Sequence, residues 1–149
     1  MSLKFFTPNN ALAFFAPDFE NTSEITFTDT GISAGFPSPA DDFKEYRISL
    51  DRTLVKNKEA TFYAKVSGQS MVGAGLDDGD LLIVDRSLEP EHNKIAVCFI
   101  DGEFTVKRLI LEADCIYLQP ENPDYKPIKV TEDNDLQIWG IVTHVIKKI

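Results

Sequence analysis

Residues 94–111 read Lys94-Ile95-Ala96-Val97-Cys98-Phe99-Ile100-Asp101-Gly102-Glu103-Phe104-Thr105-Val106-Lys107-Arg108-Leu109-Ile110-Leu111. Two apolar runs flank a two-residue Asp101-Gly102 link. Asp-Gly accommodates the positive φ angles that a tight hairpin turn requires, so this pattern predicts two antiparallel strands. Outward from the hairpin the pattern repeats. Thr61–Val66 is rich in aromatic and branched residues, and Leu81–Asp85 is apolar between Gly79-Asp80 and Arg86-Ser87. Cys115–Leu118 is a further short strand, and Gln137–Ile149 a long last one. Short strands separated by turn residues predict a mainly β fold with strongly curved antiparallel sheets. One short helical turn is expected near Asp41–Arg47.

Residues 1–40 have a different composition. They hold four of the eight prolines (Pro8, Pro17, Pro37, Pro39), and no helical or strand period lasts. They are expected to form an extended, flexible N-terminal arm, with residues 41–149 as one β-rich domain. Its phenylalanines, Phe5, Phe6, Phe14 and Phe15, are candidates to dock on a surface of the chain itself or of a partner. Nothing ahead of Gly35 has the two amphipathic helices of a helix-turn-helix.

The chain has 149 residues, 43% of them hydrophobic, enough for a genuine core. Its net charge of −9 opposes direct binding to DNA, which needs clustered cations against phosphate. Cys98 and Cys115 lie in apolar runs and read as free thiols of a reducing compartment. His92 and His144 lack metal-ligand spacing, so neither a metal nor another cofactor is expected. Asp77-Asp78-Gly79-Asp80 lacks the spacing of a calcium loop and reads as a polar turn. The scattered acidic residues from Glu112 to Asp135 read as a solvated face. No apolar run has the length of a membrane span, and the aromatic start is too interrupted for a signal peptide, so a cytoplasmic location is expected.

Ser70, in Val66-Ser67-Gly68-Gln69-Ser70-Met71, follows a strand and sits beside glycine, where a hydroxyl can be exposed and backbone N–H groups can face an oxyanion. Most such tripeptides are ordinary turns. A nucleophilic serine also needs a base. His92 and His144 have no evident acidic partner. A lysine, with an ordinary pKa of about 10.4, is about one part in a thousand neutral near pH 7.4, so it serves as a base only where burial lowers that value. Lys107 lies in an apolar strand, on one face with Thr105 and Leu109, while Arg108 shares the other with Val106 and Ile110. Alternation does not decide whether Lys107 is buried or snorkels at a sheet rim.

Four stretches in this order resemble the UmuD branch of the LexA-type self-cleaving proteins. They are Ala34-Gly35-Phe36-Pro37-Ser38-Pro39-Ala40; Gly68-Gln69-Ser70-Met71 with Asp78-Gly79-Asp80-Leu81-Leu82-Ile83-Val84-Asp85; Asp101-Gly102-Glu103-Phe104-Thr105-Val106-Lys107; and Trp139–Lys147. The resemblance runs from about Gly31 to the end. It implies the LexA/UmuD type of peptidase fold, Ser70 as nucleophile, Lys107 as general base and Ala34–Gly35 as the scissile bond. The Gln69 and Ser70 backbone N–H groups are expected to form the oxyanion hole. UmuD relatives carry cysteine at the Ala34 position, a side chain that takes no part in the reaction. The arm is longer than expected for that branch, and its Phe-rich start matches nothing in it.

The resemblance further implies a homodimer acting in the bacterial SOS response to DNA damage. A RecA filament on single-stranded DNA would stimulate self-cleavage, and the trimmed chain would serve an error-prone translesion polymerase of the UmuC-like Y family. The alternatives are a LexA- or phage-type repressor fragment, a polymerase-binding module that does not cleave, and a signal-peptidase-like enzyme. The missing helix-turn-helix and acidic charge oppose the repressor, and the lack of a membrane anchor opposes the signal peptidase.

Overall fold

The computed structural model describes residues 12–28, 34–35 and 45–149. Ten strands are present among them: β1 (Leu12–Phe15), β2 (Glu24–Thr28), β3 (Glu45–Ser49), β4 (Thr61–Val66), β5 (Leu81–Asp85), β6 (Ile95–Ile100), β7 (Glu103–Leu111), β8 (Ile116–Gln119), β9 (Ile128–Val130) and β10 (Leu136–Ile146). A short helix, α1 (Leu50–Leu54), follows β3. Eight strands form one antiparallel sheet in the order β1-β4-β5-β10-β6-β7-β8-β9, and β2 and β3 form a separate ribbon. The expected mainly β architecture is therefore present. No helix among the described residues is long and apolar enough to cross a membrane.

The β6–β7 hairpin turns where its sequence predicts. Asp101 (φ 49°) and Gly102 (φ 86°) both take positive φ, and the register runs from Ile100↔Glu103 to Ile95↔Arg108. The Asp101 carboxylate also accepts the Asn134 amide at 2.7 Å and the Asp135 N–H at 3.0 Å, tying the turn to the start of β10.

The sheet curls so that its β1 edge packs against β7 and β10. Phe14 on β1 packs against Phe104 on β7 (ring centroids 4.9 Å apart) and Trp139 on β10 (4.5 Å). β10 carries the bend. Its first half pairs with β6 and its second with β5, and the register shifts between Ile138 and Gly140 and between Val142 and His144. Such bulges sharpen the local twist. At Gly140 a Cβ would lie 2.6 Å from Val84 Cγ1, so only glycine fits where β10 crosses β5.

Both faces of the central strands are buried. Val97 and Val106 belong to one apolar cluster with Leu12, Phe14, Val66, Met71, Leu76, Leu82 and Val84. Ala96, Cys98 and Ile100 belong to a second with Leu109, Leu118 and Ile141. This explains why β6 is a continuous apolar run rather than an alternating one.

Two expectations need correction. The helical turn expected near Asp41–Arg47 is not found at Glu45–Arg47, which belongs to β3, paired in continuous register with β2; residues 41–44 lie outside the described residues. The helical turn is α1, displaced C-terminally because the ribbon claims the earlier residues. Ahead of Asp41 the sequence shows no lasting strand period, yet β1 pairs with β4 from Leu12↔Val66 to Phe15↔Tyr63. Four residues are too few for a period to be legible. What makes them a strand is burial of Leu12 and Phe14 in the first cluster. Of the candidate docking phenylalanines, Phe5 and Phe6 lie outside the described residues, and Phe14 docks on the chain's own sheet.

Truncating Phe14 removes a side chain that is 1% exposed. Phe14→Ala should cost about 3 kcal/mol. Urea unfolding followed by Trp139, the only tryptophan and a direct neighbour of Phe14, measures it. A loss below about 1 kcal/mol, the range of a peripheral substitution, would mean that β1 contributes little to the core.

Candidate active site

Beyond Val66 the chain leaves the sheet. Gly68 takes a left-handed φ of 95°, and its N–H donates to Asp78 Oδ1 at 2.8 Å. The Asp77–Asp80 turn closes on the end of β4 through Gly79 N–H to Val66 O and Val66 N–H to Asp80 O, both 2.8 Å. Lys147 pairs with Asp77 and Asp80. Burial would raise the Asp80 carboxyl, but Lys147 and the Asp77 N–H together hold it below the ordinary value. The run is thus a structural polar turn that fixes where the next loop begins.

That loop presents Ser70. Its hydroxyl lies 3.0 Å from Lys107 Nζ. Lys107 also contacts Thr105 Oγ1 at 2.7 Å and the Val106 carbonyl at 3.0 Å. The Thr105 contact is the one strand alternation predicts, since the two residues share a face of β7. Lys107 is 7% exposed, and among the described residues no carboxylate pairs with it. Burial lowers its pKa below the ordinary lysine value, opposed only by the neighbouring Cys98. Burial itself pushes the Cys98 thiol up to about 12, so Cys98 is neutral at physiological pH and supplies no counter-charge.

A neutral lysine amine has two N–H donors and one lone pair. With the donors on Thr105 Oγ1 and Val106 O, the lone pair is left for the Ser70 hydroxyl proton. The arrangement can therefore do general-base chemistry. The histidines are engaged elsewhere: His92 Nδ1 accepts the Leu111 N–H at 3.1 Å, and His144 Nδ1 contacts the Thr143 hydroxyl at 3.0 Å.

Ser70 opens into a small pocket of about 40 Å³ lined by Leu12, Val66, Ser67, Gly68, Met71, Leu76, Thr105 and Val106. Ala34 and Gly35 are exposed, and neither is among the residues that line this pocket. Ser70 and Lys107 are thus brought together and Ala34–Gly35 is not brought to them. Three contributors escape sequence reasoning. Leu12 comes from β1. Glu121 and Asn122 come from the segment after β8, about fifty positions along the chain from Ser70, and no local pattern marks them.

The fold is that of a serine peptidase. The chain belongs to the family described as Peptidase S24-like, which matches residues 27–143, and within it to the UmuD-like branch. It is similar to protein MucA of Salmonella typhimurium, at 45% identity over 115 residues, covering 76% of this chain and 77% of that protein. It is also similar to protein ImpA of Shigella flexneri (43% over 117 residues, 77% and 78% covered). LexA repressor 1 of Geobacter sulfurreducens shares 37% over 132 residues, covering 82% of this chain and 64% of the repressor.

The lowered pKa of Lys107 predicts a pH dependence of stability. Unfolding returns Lys107 to the ordinary range, so between its folded pKa and about 10.4 the unfolded chain binds more protons, and this group's contribution makes stability rise with pH across that window. In Lys107→Met that rise is absent. Urea midpoints of parent and variant, measured from pH 7 to 10, should differ most in the variant's favour at pH 7 and least at pH 10. Parallel curves would contradict a depressed Lys107.

Proposed function

We propose that the chain is a self-cleaving peptidase that cuts its own Ala34–Gly35 bond. The observation that supports this best is the 3.0 Å approach of Ser70 Oγ to a buried Lys107 with no carboxylate partner among the described residues. Neutral Lys107 takes the Ser70 hydroxyl proton as Oγ attacks the Ala34 carbonyl carbon. The Gln69 and Ser70 N–H groups hold the resulting oxyanion. Lys107 then gives its proton to the departing Gly35 amine, leaving residues 1–34 as an ester on Ser70. Water hydrolyses the ester, with Lys107 again as base, which frees the Ser70 hydroxyl and leaves a carboxylate on Ala34. No metal or cofactor has a role in this sequence.

In this reading residues 1–40 are the arm that carries the cut, with β1 as its anchorage, and residues 41–149 are the peptidase and dimerisation domain. The scissile bond lies outside the Ser70 pocket, so cleavage requires a second arrangement in which it is seated. A partner stimulates cleavage only by binding that arrangement more tightly. Membership of the UmuD-like branch supports a role in SOS mutagenesis in the bacterial cytoplasm, with a RecA filament on single-stranded DNA as that partner. The trimmed homodimer then serves a UmuC-like Y-family translesion polymerase. The net charge of −9 fits a protein that reaches DNA through partners rather than by its own contacts.

Intact mass spectrometry after incubation at neutral and alkaline pH tests the chemistry. A product beginning at Gly35 should accumulate faster as pH rises and supplies neutral Lys107. Lys107→Ala should slow it by about 10²–10⁴-fold, the usual worth of a general base, and Ser70→Ala should give none. A rate that is flat from neutral to strongly alkaline pH would rule out the lysine base. Absence of product under every condition, with the filament included, would leave a binding module that does not cleave.

A further inference from the structure

The segment after β8 grips the Ser70 loop at consecutive carbonyls. The Asn122 side-chain amide donates to Gln69 O at 2.8 Å, and the Glu121 N–H donates to Ser70 O at 2.8 Å. Glu121 O in turn accepts the Gly73 N–H at 2.7 Å, and a Cβ at Gly73 would lie 2.6 Å from that oxygen. Arg108, next to Lys107 on β7, pairs with the Glu121 carboxylate and donates to Asn93 O. The segment that holds the nucleophile loop is therefore tied to the strand that carries the base.

The Asn122 contact has a specific geometric effect. Gln69 C=O and Ser70 N–H belong to one planar trans peptide, so they point in opposite directions. Fixing the oxygen fixes the direction of the N–H. The Asn122 amide is itself oriented, because its Oδ1 accepts the Asp124 N–H at 3.0 Å, which turns Nδ2 toward Gln69. The Ser70 N–H donates to no described residue, which leaves it available to an incoming oxyanion. A hydrogen bond on the carbonyl also polarises the peptide and strengthens its N–H as a donor.

We infer that Asn122 is a positioning residue for the oxyanion hole, acting through the Gln69–Ser70 peptide. This rests on the peptidase reading above. It explains why a residue far along the chain reaches a loop that already has Asp78 at its start. Lys107 is untouched by the contact, so Asn122 sets how well the transition state is held and not how the base titrates.

The test compares first-order self-cleavage of the full chain with Asn122→Ala and Asn122→Asp, each over a pH series read by intact mass. Aspartate keeps an oxygen for the Asp124 N–H, and so keeps the turn, but has no donor for Gln69 O. Both variants should cleave roughly 10- to 100-fold more slowly, less than the loss on deleting an oxyanion donor outright, with the pH midpoint unchanged. An aspartate variant as fast as the parent would reduce Asn122 to a turn former and overturn the inference. So would a pH midpoint displaced in both variants, which would mean that the base site had been disturbed. A parent that yields no Gly35 product would remove the peptidase reading and this inference with it. A parent that cleaves beside an alanine variant within twofold would remove this inference alone.

Discussion

The structure is organised around a lysine kept from water with no counter-ion among the described residues. Lys107 sits on a central strand, is buried, and among the described residues finds only neutral oxygens, from Ser70, Thr105 and Val106. Placing an ammonium there is costly, and the cost appears as a lowered pKa. Every neighbouring element maintains that cost. The Asp101-Gly102 turn fixes the β7 register, Cys98 across the hairpin is held as a thiol, and curling of the sheet brings β1 over the same region. A carboxylate within reach would make a more comfortable ion pair and an incompetent base.

The serine side obeys the complementary rule. Ser70 lies on a loop rather than a strand, and loops are positioned only by what holds them. Here the Asp78 carboxylate holds the beginning at Gly68, and the segment after β8 holds the middle at Gln69 and Ser70. The pair thus consists of one residue fixed by a sheet ladder and one fixed by a set of individual hydrogen bonds. Disturbance of the site should enter through the second.

Much of this is legible in the sequence because it is local. The Asp-Gly turn, the strand alternation that puts Thr105 with Lys107, and the loop signal at Gly68 each need only a few adjacent residues. The assignment of Ser70 and Lys107 to one site needs the resemblance, because the sequence alone leaves Lys107 free to snorkel. The parts that escape are those created by pairing. β1 is a strand because β4 offers it an edge and the cluster around Trp139 accepts Phe14. β9 is three residues long and exists through its register with β8. Asn122 gains its importance only from where the chain folds back.

β1 lies upstream of the proposed cut and is hydrogen-bonded to a strand downstream of it. On the proposed function, scission of Ala34–Gly35 and departure of the arm are therefore separate events. Before the cut, β1 is held at the high effective concentration of a tethered segment; afterwards the same contacts hold a free peptide. The cut product is at first a two-chain complex, with Phe14 still seated against Phe104 and Trp139. Its further change is governed by a dissociation rate and by dilution. The lifetime of the intermediate form is thus set by a strand in the core, and the chemistry at Ser70 only starts the clock.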